Sequence, residues 1–432
     1  MIYVRVLTDF MLFFFALFLI SSTFSIAVSQ VTLGISVLFF LIISILKKEF
    51  VYFNDLKWFY TIVGLFVGWL ILSSLLGVTP LRSLTASKDS WLFLIIPLGI
   101  YLTSKFKNRQ NLILIFATTI ILVSLYGVLQ FFTGANWFSH NEAQKAPMYG
   151  YRISGFFSFG VTFGNLMSVV GIFLTTYALF GISSFSKNRF RVLLSGGIMA
   201  MLMALLTFSR APILAIVLTT ILIFMFLGKK WWKQGVAFTI ILLLIISFLP
   251  GIKERFINEF DKEYNGTHQA GRVYIWKNSI QLIADNPIIG VGLHNFKESY
   301  AALIPSDSKE NRKVSSAHND FIDIAANTGI PGLLFYCILW ISVLGYFRKK
   351  YHRDSTLSIE QKAILVATFC ASICFMIVSM FHGVFVDDEV RQVLMFFWAL
   401  GFAVTVESRL NQLQTEKNSF NSPKYHKFMG TK

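Results

Sequence analysis

The chain reads as an all-α polytopic membrane protein, with about twelve transmembrane helices and a long, mostly helical outer loop before the tenth. Three observations predict this. Of 432 residues, 55% are hydrophobic and only 14% charged, where an average soluble domain carries about 25% charged residues. The apolar residues come in runs close to the roughly 20 that a helix needs to cross a hydrocarbon core. Basic residues collect in every second short loop between those runs, as the positive-inside rule requires.

Taken in order, the candidate spans are 6–27, 30–46, 58–77, 87–103, 111–132, 159–181, 191–208, 211–227, 233–250, 331–347, 363–382 and 391–407. Residues 6–28 also have the outline of a signal peptide, but the alternation of charge needs them as an uncleaved first span. With the N-terminus and Arg5 inside, the inner loops hold Lys47, Lys48 and Lys57, then Lys105, Lys107 and Arg109, Lys187, Arg189 and Arg191, Lys229 and Lys230, and Arg348 to Arg353. The short outer loops hold only scattered cations such as Arg82, Lys88, Arg152 and Arg210. The organisation is therefore a membrane region of nine spans over 1–250, an outer loop over 251–330, three spans over 331–407 and an inner basic tail over 408–432. That tail is polar, has no apolar period and is expected to be disordered. A net charge of +16 distributed this way points to membrane topology rather than to nucleic acid. Cys337, Cys370 and Cys374 all lie in apolar segments, so neither a disulfide framework nor a thiolate metal site is implied.

The outer loop is the only long polar interval. Val273, Trp276, Ile280 and Ile283 follow helical spacing and predict an amphipathic helix over 271–285, ended by Asn286-Pro287. Gly290-Val291-Gly292 is a turn; with no buried strand before it, it is not a nucleotide loop. A second short helix is expected over 294–304. Ser315 or Ser316 then caps a third helix, with Asp320 in its first turn and an end near Asn327, where Gly329 suits the left-handed cap and Pro331 forbids continuation. His318 falls in that first turn, on one face with Ile322 and Ala325. The helix dipole disfavours imidazolium there, and a neutral imidazole is what a general base must be; a histidine that merely helps cap the helix is the other reading of these residues.

Four arginines sit at or near the outer surface: Arg82, Arg152, Arg210 and Arg272. Arg210 lies where two spans meet almost without a loop, and a charge there is costly unless it faces protein, water or an anion. Arg272 opens the amphipathic helix, where a cation gains nothing from the dipole. Arg152 precedes a span; snorkelling to the headgroups would also account for it and for Arg210. Arginines beside a membrane suit a lipid diphosphate, because a planar guanidinium binds phosphate oxygens through paired hydrogen bonds.

At this point the sequence resembles the O-antigen ligase and O-antigen polymerase superfamily of membrane glycosyltransferases. The ligases carry a histidine, then Asn, Ser or Gln, nine residues, a glycine, two residues, and Gly, Thr or Tyr. Here these are His318-Asn319, the nine residues from Asp320 to Thr328, Gly329, Ile330-Pro331 and Gly332. Gly271-Arg272, Trp276, Asn286-Pro287, Gly290-Val291-Gly292 and Asn295-Phe296 are similar to the family's outer-loop domain. Ser209-Arg210 matches its arginine at the outer end of a span, and the element from Arg152 to Phe156 a further arginine–glycine element. The resemblance covers residues 150–345 closely and the rest through span count.

The resemblance implies a bacterial inner-membrane enzyme, both termini cytoplasmic and the 251–330 loop periplasmic. It would take glycan from undecaprenyl diphosphate and transfer it to a sugar hydroxyl of lipid A–core, completing lipopolysaccharide. His318 would activate the acceptor, and Arg210 and Arg272, with Arg152 as a further candidate, would engage the diphosphate. Direct displacement predicts inversion at C1, without ATP, cofactor or metal. Asp387-Asp388-Glu389 is the one acidic cluster that could argue for a metal, and its plain reading is a solvated loop. An O-antigen polymerase and a protein O-oligosaccharyltransferase share the donor and the arginines. A twelve-span transporter or flippase would need charged or broken helices at mid-membrane; the span centres are nearly free of charge, and Gly196-Gly197 is a slight basis for a break.

Overall fold

A computed structural model describes residues 2–47, 54–105, 109–138, 144–146, 150–227, 272–304 and 314–420, with isolated positions between 233 and 244. The described residues are helical, apart from connecting turns and one isolated bridge between Lys145 and Tyr151. The helices are α1 (Ile2–Ser21), α2 (Ile26–Lys47), α3 (Lys57–Leu76), α4 (Pro80–Ser87), α5 (Ile95–Lys105), α6 (Arg109–Thr133), α7 (Gly160–Phe180), α8 (Lys187–Leu206), α9 (Arg210–Leu227), α10 (Arg272–Asp285), α11 (Phe296–Leu303), α12 (Asp320–Arg353), α13 (Ile359–Ser379) and α14 (Asp388–Phe420).

Among the described residues nine helices are long and apolar enough to cross a membrane: α1, α2, α3, α6, α7, α8, α12, α13 and α14; Arg210–Phe226 is a shorter apolar helix. The sequence expectation of twelve meets three differences, the first being the span placed at 211–227, which is that shorter helix. The span placed at 233–250 lies almost wholly outside the described residues. The span placed at 87–103 is divided between a 3-10 turn over Lys88–Leu94, which follows α4 directly, and α5. Pro97 explains the break: it has no N–H and would collide with the carbonyl four residues back, so it is tolerated only in the first turn of a helix. A new helix therefore starts at Ile95.

Helices α7, α13 and α14 form the centre. Phe173 and Phe397 stack face to face at 3.8 Å, and Ala363, Cys370 and Cys374 are fully buried. Helix α8 runs unbroken through Gly196-Gly197. A Cβ at Gly197 would strike Thr175 of α7, and one at Gly171 would lie 2.6 Å from Met201. These glycines bring two backbones together in the manner of small-residue contacts between membrane helices; they do not mark a broken helix.

At the end of the bundle away from His318, Arg109 pairs with Glu407 and, at 3.2 Å, with Glu360, which also accepts from the Tyr177 hydroxyl. A buried charge survives there because every member has a partner. The tail expected to be disordered from residue 408 is instead helical to Phe420. Ser408 donates to Asp354 at 2.6 Å, and Arg409 pairs with Asp55 at 2.7 Å. Contacts with neighbouring loops, invisible to a local period, thus carry the helix beyond the apolar segment. Residues 421–432 lie outside the described set.

Candidate active site

The site is built on the first nine residues of α12. Asn319, not Ser315 or Ser316, is the N-cap: its Oδ1 accepts from the amides of Phe321 at 2.9 Å and Ile322 at 3.2 Å. Its Nδ2 donates to the Met380 carbonyl at 3.0 Å and ties the cap to the end of α13. His318 therefore stands before the helix rather than in its first turn. Its neighbours are pinned. The Ala317 amide donates to Asp323 at 2.6 Å, and the Ala317 carbonyl accepts from Trp276 Nε1 of α10 at 2.9 Å. With Ala317 and Asn319 both held, His318 takes φ 52°, a left-handed conformation uncommon for a non-glycine residue and sustained only where the surroundings over-determine it.

At the far end, Gly329 has φ 72° and ψ 178°, and α12 kinks there before Pro331 restarts it. The expected stop is thus a break between a short helix and a membrane-crossing one. The kink strands the last carbonyls of the short helix, and the 286–292 turn takes them up. Val291 N donates to Ala326 O at 2.9 Å and Gly292 N to Asn327 O at 2.8 Å. From α3, Trp69 Nε1 reaches Thr328 O at 2.8 Å, and Ser73 reaches both Ile289 O and Asn327 O. Gly290 is required because a Cβ there would lie 2.5 Å from Asn327 C; Gly332 is pressed on Thr328 and Trp69. The nine-residue spacing is thus the length of one helix capped at both ends, about 13 Å, which sets His318 at a fixed distance from the membrane span.

Facing His318 is a residue that sequence reasoning missed. His382, just past the end of α13, has its ring centroid 5.9 Å from that of His318. Its Nδ1 lies 3.6 Å from Asp387 Oδ2, which accepts from Thr162 at the start of α7 at 3.2 Å. The available signal was Phe381-His382-Gly383 at an outer span end, a single histidine without a motif. The loop is held by the short helix: Asp320, 0% exposed, accepts from Phe385 N at 3.0 Å, and Gly383 lies close to the Asp320 and Asp323 carboxylates. The acidic cluster is consequently no solvated loop. Asp387 serves Thr162, and Asp388 pairs with Arg391 at 2.5 Å and accepts from Gln30 at 2.7 Å.

Burial, and then the charge of Arg272, hold the His318 imidazole below the usual histidine value. Burial, His318 and Arg272 push His382 down to about 4. Burial, aided by Glu389 and Asp388, raises Asp387 to about 7 against the Thr162 hydrogen bond and Arg391. Both imidazoles are neutral at neutral pH, so His382 and Asp387 meet as a polar contact rather than an ion pair.

The structure thus brings Arg272, the first residue of α10, within electrostatic reach of both histidines. Arg152 and Arg210 form a second group. Arg152 Nε donates to Thr207 O at 3.1 Å, three residues before Arg210 opens α9. The start of α7 lies between the groups: Thr162 reaches Asp387, and a Cβ at Gly164 would lie 2.7 Å from Thr207 Oγ1. Arg82 is set apart in an exposed pair with Glu298 at 2.8 Å, a contact worth little. Helix α10 buries Ile275, Ser279 and Leu282, whereas Val273 and Ile280, expected on the buried face, are exposed. Both stripes have helical spacing, and only the position of α12 selects between them.

Beside the short helix a pocket is lined by Phe66, Asp89, His294, Asp323, Asn327 and Arg391, among others. Asp323 is 3% exposed, and Asp323 Oδ2, Asn327 Oδ1 and Arg391 Nε have no hydrogen-bond partner among the described residues.

Residues 194–337 match the family model described as O-antigen ligase. No curated protein matches the chain. The matched segment runs from α8 into α12 and takes in Arg210, Arg272 and His318, leaving Arg152, His382 and Asp387 outside it. The likeness to the O-antigen ligase family is thus carried by that segment, about a third of the chain, set within a bundle of long apolar helices.

Proposed function

We propose that the protein is an O-antigen ligase: it transfers glycan from undecaprenyl diphosphate to a sugar hydroxyl of lipid A–core at the periplasmic face of the inner membrane. The observation that carries this reading is His318, set at φ 52° before a short capped helix, its imidazole held below the usual histidine value by burial and by the charge of Arg272. In the proposed reaction the acceptor oxygen attacks C1 of the first glycan sugar. His318 accepts the hydroxyl proton, the C1–O bond to the diphosphate breaks, and the leaving diphosphate departs with that electron pair. Arg272 and Arg210 neutralise the charge that develops on it, with Arg152 supporting the Arg210 segment. A single displacement inverts C1.

The test is a strain lacking the gene, with and without the gene restored. Bare core together with glycan accumulating on its lipid carrier is the expected result. Core capped with a single repeat unit would move the assignment to a polymerase; an unchanged lipopolysaccharide and carrier pool would overturn both.

The pH profile provides a second prediction. A base works only when neutral, so the rate falls as pH drops through the His318 pKa, which lies below the ordinary value near 6.5. The Arg272 charge contributes to that depression. Arg272→Gln should therefore lower the rate and also move the acid limb of the remaining activity to higher pH, while Arg272→Lys leaves the limb in place. Normalised profiles that superimpose for Gln and wild type would separate Arg272 from the histidine.

A further inference from the structure

Helix α10 has three faces. Ile275, Ser279 and Leu282 are buried against the protein. Tyr274, Asn278, Gln281 and Asp285 form a polar arc, in which Gln281 donates to Asp285 at 2.9 Å. Val273, Ile280 and Ala284, with Lys277 among them, make a third, exposed and mostly apolar stripe; at about 100° per residue they fall within roughly 60° of one another. Val273 is 66% and Ile280 60% exposed. The stripe runs on into Ile288, 64% exposed, in the turn that follows.

That turn is fastened to the ends of two membrane helices. Ile330 N of α12 donates to Pro287 O at 2.8 Å, Val78 N just past α3 donates to Val291 O at 3.0 Å, and Ser73 of α3 holds Ile289 O at 2.7 Å. Both helices expose apolar stripes of their own: Ile330, Leu334, Ile338 and Ile341 on α12, and Leu65, Leu72 and Leu76 on α3. On membrane-crossing helices such stripes face acyl chains. The apolar surface of the bundle therefore continues through Ile288 onto α10, and the polar arc leaves that surface at a right angle.

We propose that α10 is an interfacial helix, its Val273–Ile280–Ala284–Ile288 stripe lying in the acyl-chain boundary of the leaflet on the His318 side. Lys277 extends its stem along this boundary and returns its ammonium to the headgroups. The occupant of the stripe is bilayer lipid, by continuity with the lipid-facing sides of α3 and α12. Arg272, one residue from Val273, is thereby set at headgroup depth, where the phosphates of membrane lipids lie. The inference rests on the membrane character of α3 and α12, not on the reaction proposed above.

The test is a nitroxide scan of the full-length protein in lipid nanodiscs, with Cys337, Cys370 and Cys374 replaced by Ala and single labels at 273, 274, 277, 278, 280, 281, 284, 285 and 288. The ratio of oxygen to nickel-chelate accessibility is expected to peak at 273, 280, 284 and 288 and to reach its minimum at 278, 281 and 285, with a period of about 3.6 residues. Nickel access at the apolar stripe equal to that at 281 and 285 would place the stripe in water and overturn the proposal. Exclusion of both reagents from the stripe would mean a protein partner, a second copy or another chain, and would overturn it equally.

Discussion

Replacing His318 by Ala is expected to lower glycan transfer by about 10²–10⁴-fold, the contribution of a positioned general base, while the protein still inserts into the membrane. The argument starts from the backbone. His318 precedes the helix and has φ 52°, so Ala there carries a left-handed penalty of about 1–2 kcal/mol that asparagine largely escapes. His318→Asn is therefore the cleaner variant: it keeps the turn and removes the base. Transfer by the purified proteins from a synthetic lipid-diphosphate glycan, alongside their thermal unfolding in detergent, separates chemistry from folding. Wild-type rates from either variant would sink the assignment of His318. Loss with Ala but not with Asn would show that the turn, not the imidazole, matters.

The second large effect is expected at Gly329, through structure rather than chemistry. Gly329→Ala should destabilise the fold by about 3 kcal/mol or more, combining strained backbone with forced overpacking. At φ 72° and ψ 178° the position suits only glycine, and a Cβ would collide with the Ile288 carbonyl. Relief would require the 286–292 turn to lift from the Ala326 and Asn327 carbonyls it satisfies, loosening the histidine helix and α10 together. Gly345→Ala, in the same membrane helix but with open space around it, is the control expected to be neutral. A Gly329→Ala protein that unfolds at the wild-type temperature would show that the kink is not tightly held.

Much of the bundle was legible because hydropathy acts locally. A segment that must satisfy its backbone in lipid has to be a long apolar helix, so runs such as 6–27, 111–132 and 363–382 announced α1, α6 and α13. The break before α5 was legible too, in Pro97, but the even hydropathy around it outweighed one residue. His318, Asn319, Gly329 and Gly332 stood out as a spacing; the geometric reason for that spacing, a helix capped by Asn319 and ended by Gly329, required the structure.

By itself, the sequence determined the all-helical membrane bundle, the histidine motif and the arginines near one surface, because length, apolarity and spacing are properties of contiguous residues. Only the tertiary structure decided that His382, with Asp387 against it, faces His318, that the charge of Arg272 reaches both histidines, and that α10 buries Ile275 and Leu282 while exposing Val273 and Ile280. Those facts depend on which helix ends meet. His318 and His382 are 64 residues apart in sequence, and they are neighbours because Asn319 bonds to Met380 and Asp320 to Phe385 across the gap between α12 and α13.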